Sequence, residues 1–212
     1  MSTEERPTPL QPVTGIYPVP EDVTVARVKA LEAILAEKGL VSTEAIDGVI
    51  HYFEEVVGPR NGAKVVARAW VDPEFKKRLL QDASAACHEM GIGGLEGEEM
   101  VVLEQTDTDH HVIFCTLCSC YPWPTLGLPP YWFKNPAYRA RMAKEPRKVL
   151  VEEFGLDLSD DVTVHAWDTS SQMRYWIMPA RPAGTEGMTE EQLAELVTRD
   201  SMVGVSRANP PA

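Results

Sequence analysis

The sequence predicts an α+β domain with a helical stretch in front of it, and three observations carry that prediction. Apolar residues recur at helical spacing through the first ninety or so residues. Past Gly94 the pattern changes to short alternating runs typical of half-buried strands. A helical pattern then returns near the C-terminus, so helices, strands and a last helix follow one another in segregated blocks, without internal repeats.

The elements follow in order. Residues 1–22 contain Pro7, Pro9, Pro12, Pro18 and Pro20, a density that blocks regular helix and predicts an extended or disordered arm able to lie across a partner. Val25, Val28, Leu31, Ile34 and Leu35 predict a helix over 23–38, with Gly39 where a left-handed cap belongs. Ser42 is placed to cap a second helix carrying Ile46, Val49, Ile50 and Phe53, which stops at Gly58-Pro59. These two could form a hairpin against the domain or against another subunit. In a third helix Asp72 is the N-cap and Pro73 the first residue, with Phe75, Leu79, Leu80, Ala83, Ala86 and Cys87 as the buried face up to Gly91.

Strands are predicted over 100–105 (MVVLEQ) and 111–115 (HVIFC), joined by the polar turn TDTD. YPWPTLGLPPYWF, residues 121–133, is too broken by proline for helix or sheet. Short helices are expected over 136–144 and 146–154, a strand over 162–168 with an antiparallel neighbour over 173–179, and a final helix over 189–199. The resulting division is an arm (1–22), a helical segment (23–60), the main domain (61–208) and a tail (209–212).

Composition narrows the function. A chain of 212 residues with 44% hydrophobic content can bury a substantial core. Its 20 basic and 32 acidic residues, net −12, argue against binding nucleic acid or an anionic membrane and favour a basic partner or a neutral substrate. There is no apolar signal region at the N-terminus and no apolar run near the roughly 18 residues that span a bilayer, so the expected location is the cytoplasm. Three of the four cysteines, Cys115, Cys118 and Cys120, fall within six residues, too close for a disulfide framework and suited to metal or redox chemistry.

Several readings compete for that cluster. Cysteines can be small buried apolar residues, which is the account favoured for Cys87. A structural zinc site needs four ligands, and the fourth would have to be Cys87, His110 or His111. A redox pair Cys115-x-x-Cys118 leaves Cys120 unexplained. Bond counting offers another arrangement: if the sulfurs of Cys118 and Cys120 bind one ion, the backbone nitrogens of Ser119 and Cys120 lie between them and close low-strain chelate rings. Cys115 then reaches the ion from below and one octahedral position stays open. Binding through deprotonated amides demands a strongly acidic trivalent ion, such as Co(III) or Fe(III), and an open position on it can polarise a ligand or acidify water.

Three thiolates and two amidates around a trivalent ion leave a net charge of about −2, which is costly to bury unpaired. The nearest arginines in sequence, Arg139 and Arg141, lie beyond the proline-rich loop, so a second protein is expected to supply the neutralising cations. Such thiolates are also candidates for oxidation to sulfenic or sulfinic acid. His110 and His111 are read as structural, His51, His88 and His165 form no constellation, and no Ser/His/Asp set or phosphate-cradling glycine loop stands out.

The hexapeptide CTLCSC followed by YPWPTLGLPPYWF resembles the metal-binding segment of the nitrile hydratase α subunit. The likeness continues through GAKVVARAWVDPEFKKRLL, YRAR, EPRKVL, RPAGTEG and RDSMVGV, nearly the whole chain from about residue 25. The resemblance implies a helical arm on a layered α/β/β/α domain that hydrates nitriles to amides at a low-spin Co(III) or Fe(III). It implies an αβ heterodimer that pairs into α2β2, and a metal-insertion activator protein during maturation. By position, Cys115, Cys118 and Cys120 give sulfur ligands, and Ser119 and Cys120 give amide nitrogens. Cys118 is the expected sulfinic acid and Cys120 the sulfenic acid, held by arginines of the β subunit. Thr116 and Tyr121 match the cobalt form. The nitrile is expected at the open position, attacked by either the Cys120 sulfenate or a nearby water, with Ser119 beside the axial ligand and Trp123 lining the pocket or packing the proline-rich loop. Glu96 stands where the family usually has glutamine; a carboxylate accepts hydrogen bonds but cannot donate, so ligand tuning differs unless Glu96 is simply solvated. The rival readings are a thiocyanate hydrolase-type subunit, which uses a similar motif, and a noncatalytic zinc-binding interaction protein.

Overall fold

A computed structural model describes residues 21–53, 57–93, 99–117 and 120–211. The predicted N-terminal arm therefore lies outside the described residues, apart from its last two positions.

The first predicted helix is α1, Glu21–Glu37, and Gly39 closes it at φ +65° while the Leu40 N–H donates to Leu35 O at 3.0 Å. The second is α2, Thr43–His51, capped by Ser42, whose Oγ accepts from the Ala45 N–H. Neither packs on the domain. Val28, Leu31 and Ile34 of α1 and Val49 of α2 are exposed, so of the two placements open to this pair, burial against its own domain is not the one adopted.

Gly58-Pro59 ends nothing further: it starts α3, Pro59–Val71, a helix the periodicity reading passed over. Pro59 sits where a missing N–H costs nothing, and Val65, Val66, Ala67 and Ala69 are buried. Asp72 caps α4, Pro73–Gln81, accepting from the Glu74 and Phe75 N–H groups, as expected. The expected helix to Gly91 is interrupted, however, because Asp82 turns to extended backbone and caps a separate α5, Ala83–Glu89, by accepting from the Ala85 N–H at 2.9 Å. Phe75, Leu79, Ala83, Ala86 and Cys87 are buried, but Leu80 is exposed.

Among the described residues the strands are β1, Glu99–Glu104; β2, Asp109–Phe114; β3, Thr163–Asp168; and β4, Met173–Met178. Their existence matches expectation but their pairing does not. β3 and β4 are not antiparallel neighbours: β4 runs parallel to β1, with Val101 opposite Tyr175, and β3 runs parallel to β2, with His111 opposite His165. The turn after β1 and the corner at 169–172 each hand the chain from one two-stranded sheet to the other. Alternation in sequence reveals a half-buried strand but not its partner.

The layers follow. α4 and α5 cover β1, β4 faces β2, and α9, Pro146–Phe154, covers β3, giving α/β/β/α. Between β2 and α9 lie single-turn helices α6, Trp123–Leu126, and α7, Tyr131–Lys134, in the segment expected to hold none, and then α8, Pro136–Met142. Proline at a first helical position permits such turns but limits their length. The last expected helix, over 189–199, is cut short as α10, Glu190–Ala194, and a further helix that was not expected, α11, Arg199–Val203, starts at its far end; each has a capping box, Thr189 with Gln192 and Thr198 with Ser201. Trp176, Tyr121, Tyr138, Phe133 and Ile113 are among the largest fully buried side chains, so the core lies between the sheets and under α6 to α8.

Candidate metal centre

Cys115 directly follows the end of β2 and Cys120 precedes the proline-rich segment; both are buried, at 0% and 5% exposure. Between them Leu117 is 87% exposed, so the loop leaves the core at one cysteine, turns outward and returns at the other. Cys118, Ser119 and Glu96 lie outside the described residues.

The two ends of the loop are fastened by one stretch of chain. Asp168, the last residue of β3, accepts from the Thr116 N–H at 2.9 Å and from the Thr116 Oγ1–H at 2.6 Å. Thr169 donates its N–H to Phe114 O at 2.8 Å and its Oγ1–H to Cys120 O at 2.5 Å. Arg174, at the start of β4 and only 8% exposed, donates from a terminal nitrogen to Tyr121 O at 3.2 Å. From beneath, the Tyr138 hydroxyl donates to Ile113 O at 3.0 Å. Asp168, Thr169 and Arg174 were not singled out by sequence. An aspartate, a threonine and an arginine at strand ends carry no spacing signal.

Arg174 thus reaches the backbone beside the loop, a contact made by neither of the arginines named from sequence among the hydrogen bonds of the described residues. Arg141 is committed elsewhere, to Glu145, Glu152 and Glu153, whose carboxylates hold its guanidinium above its ordinary pKa.

The aromatic wall begins next to the loop. Tyr121 is wholly buried, edge-on to Phe133 at 4.9 Å; burial pushes its phenol far above the usual range, and its hydroxyl has no hydrogen-bond partner among the described residues. Trp123 is half-buried and meets Phe53, just beyond α2, edge-on at 5.6 Å.

The histidines serve the scaffold. His110 Nε2 donates to Gly204 O at 2.8 Å, and burial holds its pKa below the ordinary value. His111 Nδ1 accepts from the Trp167 indole at 3.0 Å, and burial lowers its pKa as well. His165 stacks on His111 at 5.0 Å and pairs with Asp109 at 2.7 Å, a cluster that linear spacing did not disclose. Cys87 is buried in α5, where desolvation pushes its thiol up to about 12, consistent with a packing role. Among the described residues no three His, Cys, Asp or Glu side chains come together as a metal cluster.

A cavity of about 520 Å³ opens between α3, α10 and α11, lined in part by Arg60, Lys64, Glu190 and Arg199. Among the described residues of the 115–120 loop, none lines it. Two buried sulfurs on a short loop fixed at both ends suit a thiophilic ion of high charge better than a solvated one.

Comparison with known proteins agrees with this geometry. The family model described as nitrile hydratase, alpha chain, matches residues 22–206. The low-molecular weight cobalt-containing nitrile hydratase subunit alpha of Rhodococcus rhodochrous is 61% identical over 201 residues, covering 95% of this chain and 97% of that one. The thiocyanate hydrolase subunit gamma of Thiobacillus thioparus is 41% identical over 192 residues, covering 85% and 78%. Among solved structures, a double mutant of the Fe-type nitrile hydratase from Comamonas testosteroni Ni1 superposes with a TM-score of 0.80 at 41% identity, covering 91% of this chain and 94% of that one.

Proposed function

The chain belongs to the nitrile hydratase alpha-chain family, and from that premise we propose that it is the metal-holding subunit of an enzyme that adds water across a nitrile to give an amide. The observation that carries the reading is the loop itself: Cys115 and Cys120 are buried at its two feet, and the feet are fixed to the end of β3.

Cys115, Cys118 and Cys120 would hold the ion through sulfur, with the amide nitrogens of Ser119 and Cys120 completing the set. Cobalt is the proposed metal, as in the name of the 61% identical relative, and iron, as in the Comamonas protein, is the alternative. When bound, such an ion supplies Lewis acidity that makes a nitrile carbon electrophilic or acidifies a water. The chain's own contribution is to keep bulk water from the sulfurs by burying both feet, to hold the loop's ends at a fixed span, and to offer the Trp123 ring as one wall for the substrate. Cys118 as sulfinic acid, Cys120 as sulfenic acid that would attack the nitrile or orient a water, and Ser119 as a hydrogen-bonding neighbour of the sulfur ligands would complete the proposed roles. Glu96 is proposed to accept hydrogen bonds next to the loop. In overall charge, net −12 suits a partner that brings arginines, and we assign that part to a β subunit in an αβ unit paired as α2β2, loaded by an activator protein. The domain division at 22, 60 and 208 is retained as part of this proposal: α1 and α2 form the arm, and the loop lies in the main domain.

The thiocyanate hydrolase reading is not favoured, since identity to that subunit is 41% against 61% for the cobalt nitrile hydratase subunit. Coexpression with the β subunit in cobalt-supplemented medium, followed by metal analysis, mass spectrometry of the loop peptide and an amide-release assay, tests the assignment. Cobalt with added oxygens and amide product are expected; stoichiometric zinc with three unmodified thiols would refute it in favour of the interaction protein.

A further inference from the structure

Resting on the metal-loop reading, the geometry points to Thr169, acting with Asp168, as a positioning residue: this strand-end dipeptide sets the span between the two feet of the loop and so fits the loop to its ion. Four hydrogen bonds converge on two adjacent residues. Asp168 takes both donors of Thr116, one residue into the loop, while the Thr169 N–H holds Phe114 O, one residue before Cys115. The Thr169 hydroxyl reaches across to the carbonyl of Cys120. Thr169 is 3% exposed, so this bond is shielded from water. Leu117, in contrast, is almost fully exposed, so the domain does not grip the middle of the loop there. Both feet of the loop are thus tied to the same two adjacent residues.

This arrangement has a chemical purpose beyond folding. A ligand set drawn from one short peptide binds tightly only if the chain is already bent to the bite of the ion, because ordering it afterwards subtracts from the binding energy. Partners that hold ligating residues typically contribute 10- to 100-fold in metal affinity or activity. Thr169 meets that description through the Cys120 carbonyl without touching the ion.

The test uses the αβ complex coexpressed with cobalt, comparing wild type with Thr169→Val, Thr169→Ser and Thr116→Val. Valine keeps the shape of threonine and removes the donor; Thr116 is exposed, so its variant leaves the core untouched. The readouts are cobalt release into a chelator, the sulfur-to-cobalt charge-transfer absorption, kcat and KM, and the melting temperature of the metal-free protein. Thr169→Val is expected to release cobalt roughly 10-fold faster, to shift the absorption band and to lower kcat with KM unchanged, while the metal-free protein, short of one buried hydrogen bond, melts only about 2–4 °C below wild type. Thr169→Ser should restore each property, and Thr116→Val should move them in the same direction as Thr169→Val. A Thr169→Val complex with wild-type band and release rate, or one that loses only thermal stability, would overturn the inference. A wild-type complex holding neither cobalt nor iron would overturn the metal reading and this inference with it.

Discussion

Gly204 follows α11 at φ +89°, and a Cβ built there would lie 2.1 Å from His111 O and 2.9 Å from Val112 Cα. Gly204→Ala therefore combines two costs. The left-handed backbone disfavours alanine by about 1 kcal/mol, and the methyl must displace the backbone of β2 by about 1 Å to reach ordinary contact. Overpacking of this kind adds about 1–3 kcal/mol, so the total is about 2–4 kcal/mol, a large part of the about 5–15 kcal/mol that stabilises a typical domain. The strand that must move carries Cys115 at its end and His110 facing the Gly204 carbonyl. Gly155→Ala is the internal control: its φ is +65°, but nothing lies within 4 Å of the added carbon, so only the conformational cost of about 1 kcal/mol applies. Urea denaturation of both variants, with cobalt content measured in parallel, separates the terms. Gly204→Ala should unfold at much lower urea and bind less cobalt, whereas Gly155→Ala should bind a normal amount. Equal midpoints for the two variants, or full cobalt loading of Gly204→Ala, would refute the idea that this contact sets the position of β2.

Other outcomes follow from the same geometry. Cys118→Ser or Cys120→Ser should abolish nitrile hydration while circular dichroism stays near wild type; normal turnover in either would contradict the ligand assignment. Tyr138→Phe removes a buried hydroxyl that donates to Ile113 O and should cost about 1 kcal/mol, read as a lower melting temperature with the fold retained; an unchanged melting temperature would show that this bond contributes nothing. His110 and His111 have pKa values lowered by burial, so the unfolded chain takes up their protons first as pH falls. Stability is therefore full above about pH 7 and declines as pH drops through the ordinary histidine value of about 6.5 towards the depressed folded values. His110→Gln should flatten that dependence, and a melting temperature that rises on acidification in this range would reverse the sign of the argument.

The chemistry was more legible in the sequence than the architecture that supports it. Cys115, Cys118 and Cys120 are adjacent in the chain, so spacing alone suggested a metal ligand set. Asp168, Thr169 and Arg174 act on the same loop from about 50 residues further on, and no local pattern joins them to it. Strand existence followed from alternation, but pairing did not: the corner at 169–172 has a length that suits a hairpin, yet it crosses between sheets. α3 was hidden because Pro59 after Gly58 reads as the stop of one helix and is equally the start of the next. Asp82 divided a helix that periodicity joined, since its side chain offers the backbone a cap in place of another turn.

Because β1 pairs with β4 and β2 with β3, every strand contact that frames the loop joins segments separated by 50 or more positions, as Asp109 and Thr163 or Glu99 and Met173 illustrate. During synthesis the cysteines leave the ribosome well before the residues that fasten them, and pairings of such long range form slowly. An ion held as proposed would thus be captured late, by a subunit already folded, unlike zinc fingers, in which the ion drives the chain to fold.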